Sequence, residues 1–308
     1  MFRITGTGMH IPGNLVTNEQ LFEKYGRENL EKVFARIGHG ARYYCDKEET
    51  SADLAVKAGR EALLASGAST ADIDLLIIST DTPAHLSPAT ASEVQHRLEL
   101  SNAAAFDVNC ACAGFVTALD IAGKFLDGAQ YKKALVVGTY AMSKFLNPED
   151  GVSTPLFGDG AGAFVLEAGG EGRFSSVLKA DGQYWDYMGI YDGRTVSIPK
   201  KYPPTLNKDH WPPLVEKTLS RIGMRPADVD LFVFTQIRKA TIEEVMQEFG
   251  LPVSRTHTIM EKWGYTGSAC IPMAFHDAVG AGRIKRGERV VLCASGGGFA
   301  MACMSFVY

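Results

Sequence analysis

The chain repeats itself at long range. Ala71-Asp72-Ile73-Asp74-Leu75-Leu76-Ile77-Ile78 returns as Ala227-Asp228-Val229-Asp230-Leu231-Phe232-Val233-Phe234, an offset of 156 residues (72 to 228). At the same offset Ala134-Leu135-Val136-Val137 falls on Val290-Val291-Leu292-Cys293, and both copies follow a helix pattern ending in a Gly-containing basic turn. A repeat of this length is a duplicated supersecondary unit, and it limits the fold more than any local pattern can. Each copy reads helix, strand, helix, strand, helix, strand. The strands are short continuous apolar runs, as expected where helices cover both faces of a sheet. An α/β protein of two βαβαβ halves is therefore expected, with boundaries at 1–167 and 168–308. The second half opens with a cap or loop excursion over about 168–212, rich in Gly, Tyr, Pro and Lys.

Local patterns fill in the first half. Thr17-Asn18-Glu19-Gln20 is a plausible helix start, and residues 18–40 are weakly helical. Ser51 caps an amphipathic helix that Gly67 stops; Leu75 to Ser79 is a buried strand; Pro88-Ala89-Thr90-Ala91 opens the next helix. Residues 133–138 form another strand, and the glycine-rich turn Phe157 to Ala163 leads into the strand Phe164-Val165-Leu166. That turn lacks a P-loop lysine and a following helix, so its glycines read as tight packing rather than a phosphate cradle.

Between these elements lies Phe106-Asp107-Val108-Asn109-Cys110-Ala111-Cys112-Ala113-Gly114-Phe115, a strand turning through small residues into a helix that begins near Gly114 and closes at Asp127-Gly128. Cys112 sits at the turn. The unpaired N–H groups and dipole of a helix start favour a thiolate and lower a cysteine pKa, which prepares a nucleophile. The alternative reading of such a cysteine is a small buried hydrophobe. The offset carries Cys112 onto Ser268, so two equivalent helix starts are expected to face each other across a pseudo-twofold axis, a natural place for a buried site.

Composition excludes several classes. With a net charge of −4 and scattered basic residues, the chain has no footprint for nucleic acid; the densest group, Arg283 to Arg289, alternates with Gly and Glu as a solvated face does. The six cysteines show no metal-like CxxC spacing, and no metal site is expected. The start Met1-Phe2-Arg3-Ile4-Thr5-Gly6 does not read as a signal peptide, and no apolar run approaches the ~18 residues of a membrane span. A cytoplasmic protein with reduced thiols is expected.

Several motifs, in order along the whole chain, resemble those of the β-ketoacyl-(acyl carrier protein) synthase III group of thiolase-fold condensing enzymes. They are Arg36-Ile37-Gly38; His85-Leu86-Ser87-Pro88; Ala111 to Phe115; Phe157 to Ala163; Gly264-Tyr265-Thr266-Gly267-Ser268-Ala269-Cys270-Ile271-Pro272; and Gly296-Gly297-Gly298-Phe299. The resemblance implies a homodimer of five-layered αβαβα subunits working in fatty acid or secondary-metabolite biosynthesis. Cys112 would be the acylated nucleophile, fed by acyl-CoA or by an acyl carrier protein, with no tightly bound cofactor. The N–H groups of Cys112 and Gly297 would form the oxyanion hole. Arg36 and Arg238 would bind the coenzyme. From their position in the chain alone, Ser87 and the aromatic-rich 184–191 segment are expected to line the acyl pocket.

The chain departs from that pattern at the two side chains that grip the malonyl enolate. Thr235 stands at the histidine position and Tyr265 at the asparagine position. Thr235 is no base near neutral pH, and Tyr265 offers a single donor from a larger side chain. His257 is the histidine to test as a substitute, its other reading being a satisfied structural residue, while His276 reads as helix surface. Gly151 replaces the family's coenzyme-binding arginine, and Lys32 or Val33 stands near the place of its adenine-stacking tryptophan. The functional expectation is an acyltransferase, with malonyl-type condensation as the family reaction. The alternatives are O- or N-acyl transfer, a non-catalytic dimer partner of an active homologue, and thioester hydrolysis, for which the sequence offers no water-activating base.

Overall fold

The computed structural model describes residues 1–170, 174–191 and 193–308. The first half contributes β1 (Phe2–His10), β2 (Asn14–Thr17), α1 (Asn18–Tyr25), α2 (Arg27–Ile37), β3 (Ala41–Tyr44), α3 (Ser51–Ser66), β4 (Leu75–Ser79), α4 (Thr90–Arg97), β5 (Ala104–Val108), α5 (Gly114–Asp127), β6 (Lys133–Tyr140) and β7 (Gly160–Ala168). The second contributes β8 (Ser175–Ala180), α6 (Leu206–Ser220), β9 (Leu231–Phe234), α7 (Lys239–Glu248), α8 (Met260–Trp263), α9 (Cys270–Gly280), β10 (Arg289–Ser295) and β11 (Ala300–Val307). The starts of β4 and β9 (75, 231), α5 and α9 (114, 270), and β6 and β10 (133, 289) are each 156 residues apart.

Two large sheets result, ordered β1-β7-β6-β4-β5 and β8-β11-β10-β9, and β2 pairs with β3 in a separate two-stranded one. In the first, β4 runs parallel to both β5 and β6; in the second, β9 runs parallel to β10. Alternate side chains of a strand point to opposite faces, and here both faces are buried. Leu75 and Ile77 of β4 join the central core, whereas Leu76 and Ile78 join the outer core beneath α3 and α4. On β9, Leu231 and Val233 face the centre while Phe232 and Phe234 pack outward under α6 and α7. The helices α5 and α9 fill the space between the sheets, with Phe115, Leu119, Ile271 and Phe275 fully buried in the central core. The layers are αβαβα, as the family resemblance implies.

Four local expectations need correction. The cap of α3 is Thr50, not Ser51: Thr50 is extended, its hydroxyl accepts from Asp53 N, and Asp53 Oδ2 accepts from Thr50 N at 2.7 Å. Both residues can cap, and only Thr50 has an acidic partner three residues on. Residues 18–40, expected to be only weakly helical, form two definite helices divided at Gly26, where φ is +92°. The excursion over 168–212 contains β8 and the start of α6, so it is only partly loop; residues 171–173 and 192 of it lie outside the described residues. Finally, the counterpart of β5 in the second half is reduced to a single bridge between Phe232 and Thr256. Val253–Arg255 there coils into a 3-10 turn, and Arg255-Thr256-His257-Thr258 lacks the apolar run that a buried strand needs.

The glycine-rich turn packs as expected. A Cβ on Gly162 would stand 2.7 Å from the backbone nitrogen of Met273, so α9 lies directly on β7. Among the described residues no helix is long and apolar enough to cross a membrane.

Asp53 supplies a pH-dependent prediction. Burial alone would lift its carboxyl, but the Thr50 N–H, the Arg97 guanidinium at 2.8 Å and the Thr50 hydroxyl outweigh burial and hold it below the ordinary range. A carboxyl lowered on folding stabilises above its unfolded pKa and loses that contribution as pH falls through the folded one. Asp53→Asn is therefore expected to cost about 1 kcal/mol at pH 7 in denaturant melts. The difference should shrink as pH drops below ~4.

Candidate active site

The turn after β5 is held by its own backbone. Asn109 Oδ1 accepts from Ala111 N at 3.1 Å, Ala113 N donates to Cys110 O at 3.1 Å, and Gly114 N donates to Ala111 O at 2.9 Å. This geometry puts Ala111 at φ +46°, a conformation an L-residue adopts at a cost. Helix α5 then starts at Gly114 with no side-chain cap. Gly114 has to be bare, since a Cβ would stand 2.3 Å from Ser79 Oγ at the end of β4.

Cys112 is thereby delivered to the helix start, but it is only 4% exposed. The expected lowering of its pKa is reversed: burial pushes the thiol well above its usual value, with Asp81 and Cys270 adding to the effect. A hydrogen bond from the Tyr265 hydroxyl and the cysteine's own backbone N–H act the other way without prevailing. Desolvation of an anion in this apolar setting outweighs the helix dipole. The resting site therefore holds a neutral thiol.

Two clefts meet at Cys112. The first, about 240 Å³, brings together Cys112, Gly297, Thr235, Tyr265 and Arg238 from four separate stretches of chain. The second, about 290 Å³, shares Cys112, Met188 and Gly297 with the first and is lined by Met142, Trp185, Ile190 and Val196, with the polar side chains of Asp81 and Asn109. The 184–191 segment thus contributes Trp185 and Met188 to Tyr191. Ser87 is exposed and lines neither cleft. Gly296 runs against the nucleophile turn so closely that a Cβ on it would stand 2.7 Å from Cys112 N and 2.8 Å from Cys110 O.

The side chains at the divergent positions are occupied. Thr235 Oγ1 accepts from Ser295 N at 3.0 Å and donates to Ser295 O at 3.4 Å, tying the ends of β9 and β10 together. Tyr265 is buried, with its ring centroid 6.0 Å from that of Phe157 and its carbonyl accepting from Gly158 N at 2.9 Å. Burial pushes its phenol well up, so it is a donor and not a base. Arg238 is half-buried at the cleft and its Nη1 donates to Pro204 O. Burial and the nearby charge of Arg36 both lower its pKa. Arg36 itself is exposed in the last turn of α2 and does not line the cleft. Gly151 faces the ring of Tyr25, 3.0 Å from where its Cβ would stand.

Other sequence candidates sit elsewhere. His257 Nε2 is 2.7 Å from Asp277 Oδ2, which also takes Lys262, in a surface hollow that Cys112 does not line. His276 Nδ1 lies 2.9 Å from Thr7 Oγ1, half-buried against β1. Ser268, although at the equivalent helix start, is buried and donates to Thr139 O at 2.8 Å, lining neither cleft. Conversely, Asp81, Asn207 and Ser295 line the clefts without having been singled out. Ser295 Oγ donates to Asn207 Oδ1 at 2.8 Å. Their signal was position: Asp81, Thr235 and Ser295 lie at or just past the carboxyl ends of β4, β9 and β10, where open α/β sheets bind ligands. Among the described residues no cluster of His, Cys, Asp and Glu could hold a metal ion.

The profile of the family described as 3-Oxoacyl-[acyl-carrier-protein (ACP)] synthase III matches residues 106–182, and that of its C-terminal part matches residues 219–308. Over 309 aligned residues the chain is 36% identical to a beta-ketoacyl-[acyl-carrier-protein] synthase III of Methylococcus capsulatus, covering 97% of this chain and 96% of that protein. The chain belongs to the 3-oxoacyl-[acyl-carrier-protein] synthase III family. Solved synthase III structures agree throughout their length. The enzyme of Aquifex aeolicus superposes with a TM-score of 0.93 at 30% identity, covering 100% of both chains. A priming beta-ketosynthase of the R1128 polyketide pathway gives 0.93 at 26% identity, covering 100% of this chain and 96% of that one. The synthase III fold is the thiolase fold, and family membership makes this chain a condensing-type acyltransferase of fatty acid or polyketide biosynthesis.

Proposed function

We propose that Cys112 accepts an acyl group from a CoA or acyl carrier protein thioester and passes it to a second acceptor. The observation that carries this reading is the position of Cys112 at the meeting point of two clefts, with the backbone of the 296–298 glycine turn against it. The sulfur bonds to the thioester carbon, the carbon–sulfur bond to the donor breaks, and the proton of Cys112 leaves with the donor thiol. Because the resting thiol is neutral, proton loss accompanies attack. The N–H groups of Cys112 and Gly297 hold the oxyanion, and such donors are worth roughly 2.7–4 kcal/mol each in other acyl-transfer enzymes. Arg238, and Arg36 beyond it, provide positive charge at the first cleft for the phosphates of the donor. The edge strand β5 and the 95%-exposed Leu86 offer the surface for a homodimer.

For the second step, the locked Thr235 hydroxyl favours an amine or alcohol acceptor over malonyl thioester. Enolate formation needs free donors at the thioester oxygen, and Thr235 spends its hydrogen on Ser295. Intact-mass measurement after incubation with acyl-CoA and with acyl carrier protein tests the first step. The adduct is then chased with malonyl carrier protein, amines and alcohols. Faster discharge by amines or alcohols supports this assignment, faster discharge by malonyl thioester restores condensation, and no adduct from any donor favours the non-catalytic reading.

Tyr265→Phe tests the hydrogen bond to sulfur. It removes a bond that lowers the thiol pKa, so the rate of Cys112 alkylation at fixed pH should fall, by up to about tenfold for a hydrogen bond to a charged group. An unchanged rate would mean that the phenol does not support the thiolate.

A further inference from the structure

The second cleft is apolar on Met142, Met188, Ile190 and Val196, a lining for an alkyl chain, yet it contains the carboxyl of Asp81. Asp81 Oδ1 is buried and has no hydrogen-bond partner among the described residues. Its own backbone N–H is the one donor acting on the carboxyl. Other carboxyls near the site are fully employed. Asp159 accepts from Cys45 N at 2.8 Å and Ser143 N at 2.9 Å. Asp107 accepts from Thr90 N at 2.7 Å and Ala91 N at 2.8 Å, holding the start of α4. Asp81 caps no helix and pairs with no cation among the described residues. A buried carboxyl oxygen left without a donor is costly, and such groups call for an explanation in a ligand or a reaction.

Two roles are open to it, and the geometry separates them. As the base for Cys112 it would have to hydrogen-bond the thiol, but it acts on that sulfur only through space, whereas Tyr265 makes the bond. The carboxyl lines the same cleft as Cys112, where a substituent on a sulfur-bound acyl chain would come. The groups facing it include Cys112 and the Tyr140 phenol, both held neutral by burial; the Tyr140 hydroxyl is itself without a hydrogen-bond partner among the described residues, so the protein leaves the Asp81 oxygen open to a donor brought by the ligand. Burial raises the carboxyl to about 6, leaving it largely ionised at neutral pH.

We propose that Asp81 determines acyl specificity, selecting an acyl group whose chain carries a hydrogen-bond donor, a hydroxyl or an amine, over a plain alkyl chain. The inference rests on Cys112 being the acylated nucleophile. The test compares butyryl-, 3-hydroxybutyryl- and 3-aminobutyryl-CoA as donors, reading the rate of Cys112 adduct formation by intact mass in the full chain and in Asp81→Leu. At least a tenfold preference for one donor-bearing chain over butyryl is expected, lost or inverted in Asp81→Leu. Preference for the amine would assign an ammonium partner and should weaken as pH falls through about 6; preference for the hydroxyl assigns a neutral one. A cooperative thermal melt close to that of the parent checks that the variant is folded. If Asp81→Leu is not, Asp81→Asn serves, with an amine preference expected to fall tenfold. Adducts that form without preference, or with a preference unaltered by the substitution, overturn the role of Asp81 alone. No adduct from any thioester, with iodoacetamide still labelling Cys112, overturns the acyltransferase reading and this inference with it.

Discussion

Cys112→Ala is expected to abolish acyl-adduct formation while leaving the protein folded. Removing the nucleophile in other acyl-transfer enzymes costs on the order of 10⁴-fold or more in rate. Here the residue that would take the acyl group is a single buried thiol at the junction of both clefts. Cys110, two residues away, is partly exposed, and Cys270 is fully buried in the central core. Alanine leaves only the space of the sulfur atom unfilled, so thermal stability should change by only about 1 kcal/mol. The pH dependence adds a check on the same residue. Because burial holds the thiol above its ordinary value, iodoacetamide labelling of Cys112 should keep accelerating through pH 9. A plateau near neutral pH would mean that a low-pKa thiolate exists after all. Residual acylation of the alanine variant would move the nucleophile elsewhere.

The fold was readable because its evidence is repeated. Apolar runs and helix starts recur at one offset, and the structure puts the starts of β4 and β9, α5 and α9, and β6 and β10 at that spacing. What the offset could not convey is where the copies have diverged. The counterpart of β5 has dissolved into the single Phe232–Thr256 bridge, and Ser268 points its hydroxyl at Thr139 instead of into a site. Cys112 shows a second limit. A helix start is visible within a few residues of sequence, but the burial that raises the thiol, and the added effect of Asp81 and Cys270, exist only once the chain has folded. Thr235 was recognised as a departure from the family pattern, but its locked hydroxyl depends on Ser295, sixty residues away in sequence. Asp81 was passed over because an aspartate after an apolar strand reads as ordinary loop polarity until its lack of a partner is seen.

Gly296→Ala is the second substitution expected to have a large effect, and it discriminates a positional requirement from a generic one. Gly296 has φ −137° and ψ 178°, which alanine adopts freely, so no backbone strain is involved. The obstacle is contact alone: the new methyl would stand 2.7 Å from Cys112 N, 2.8 Å from Cys110 O and 2.9 Å from the Ala111 side chain. Two of these are backbone atoms of a turn whose hydrogen bonds leave it little room to move. Either the glycine turn or the nucleophile turn must retreat. Overpacking of this kind typically costs about 1–3 kcal/mol of stability. The same retreat would separate the two N–H groups assigned to the oxyanion, lowering the acylation rate by roughly 10²–10³-fold if one of them is lost. Gly297→Ala provides the comparison, because its Cβ would meet Met188 O at 3.3 Å and Ala111 Cβ at 3.7 Å. That variant should melt closer to the parent protein and keep more of its acylation rate. Equal effects at the two positions would show that the glycines serve only to make a turn, and would separate the 296–298 segment from the chemistry at Cys112.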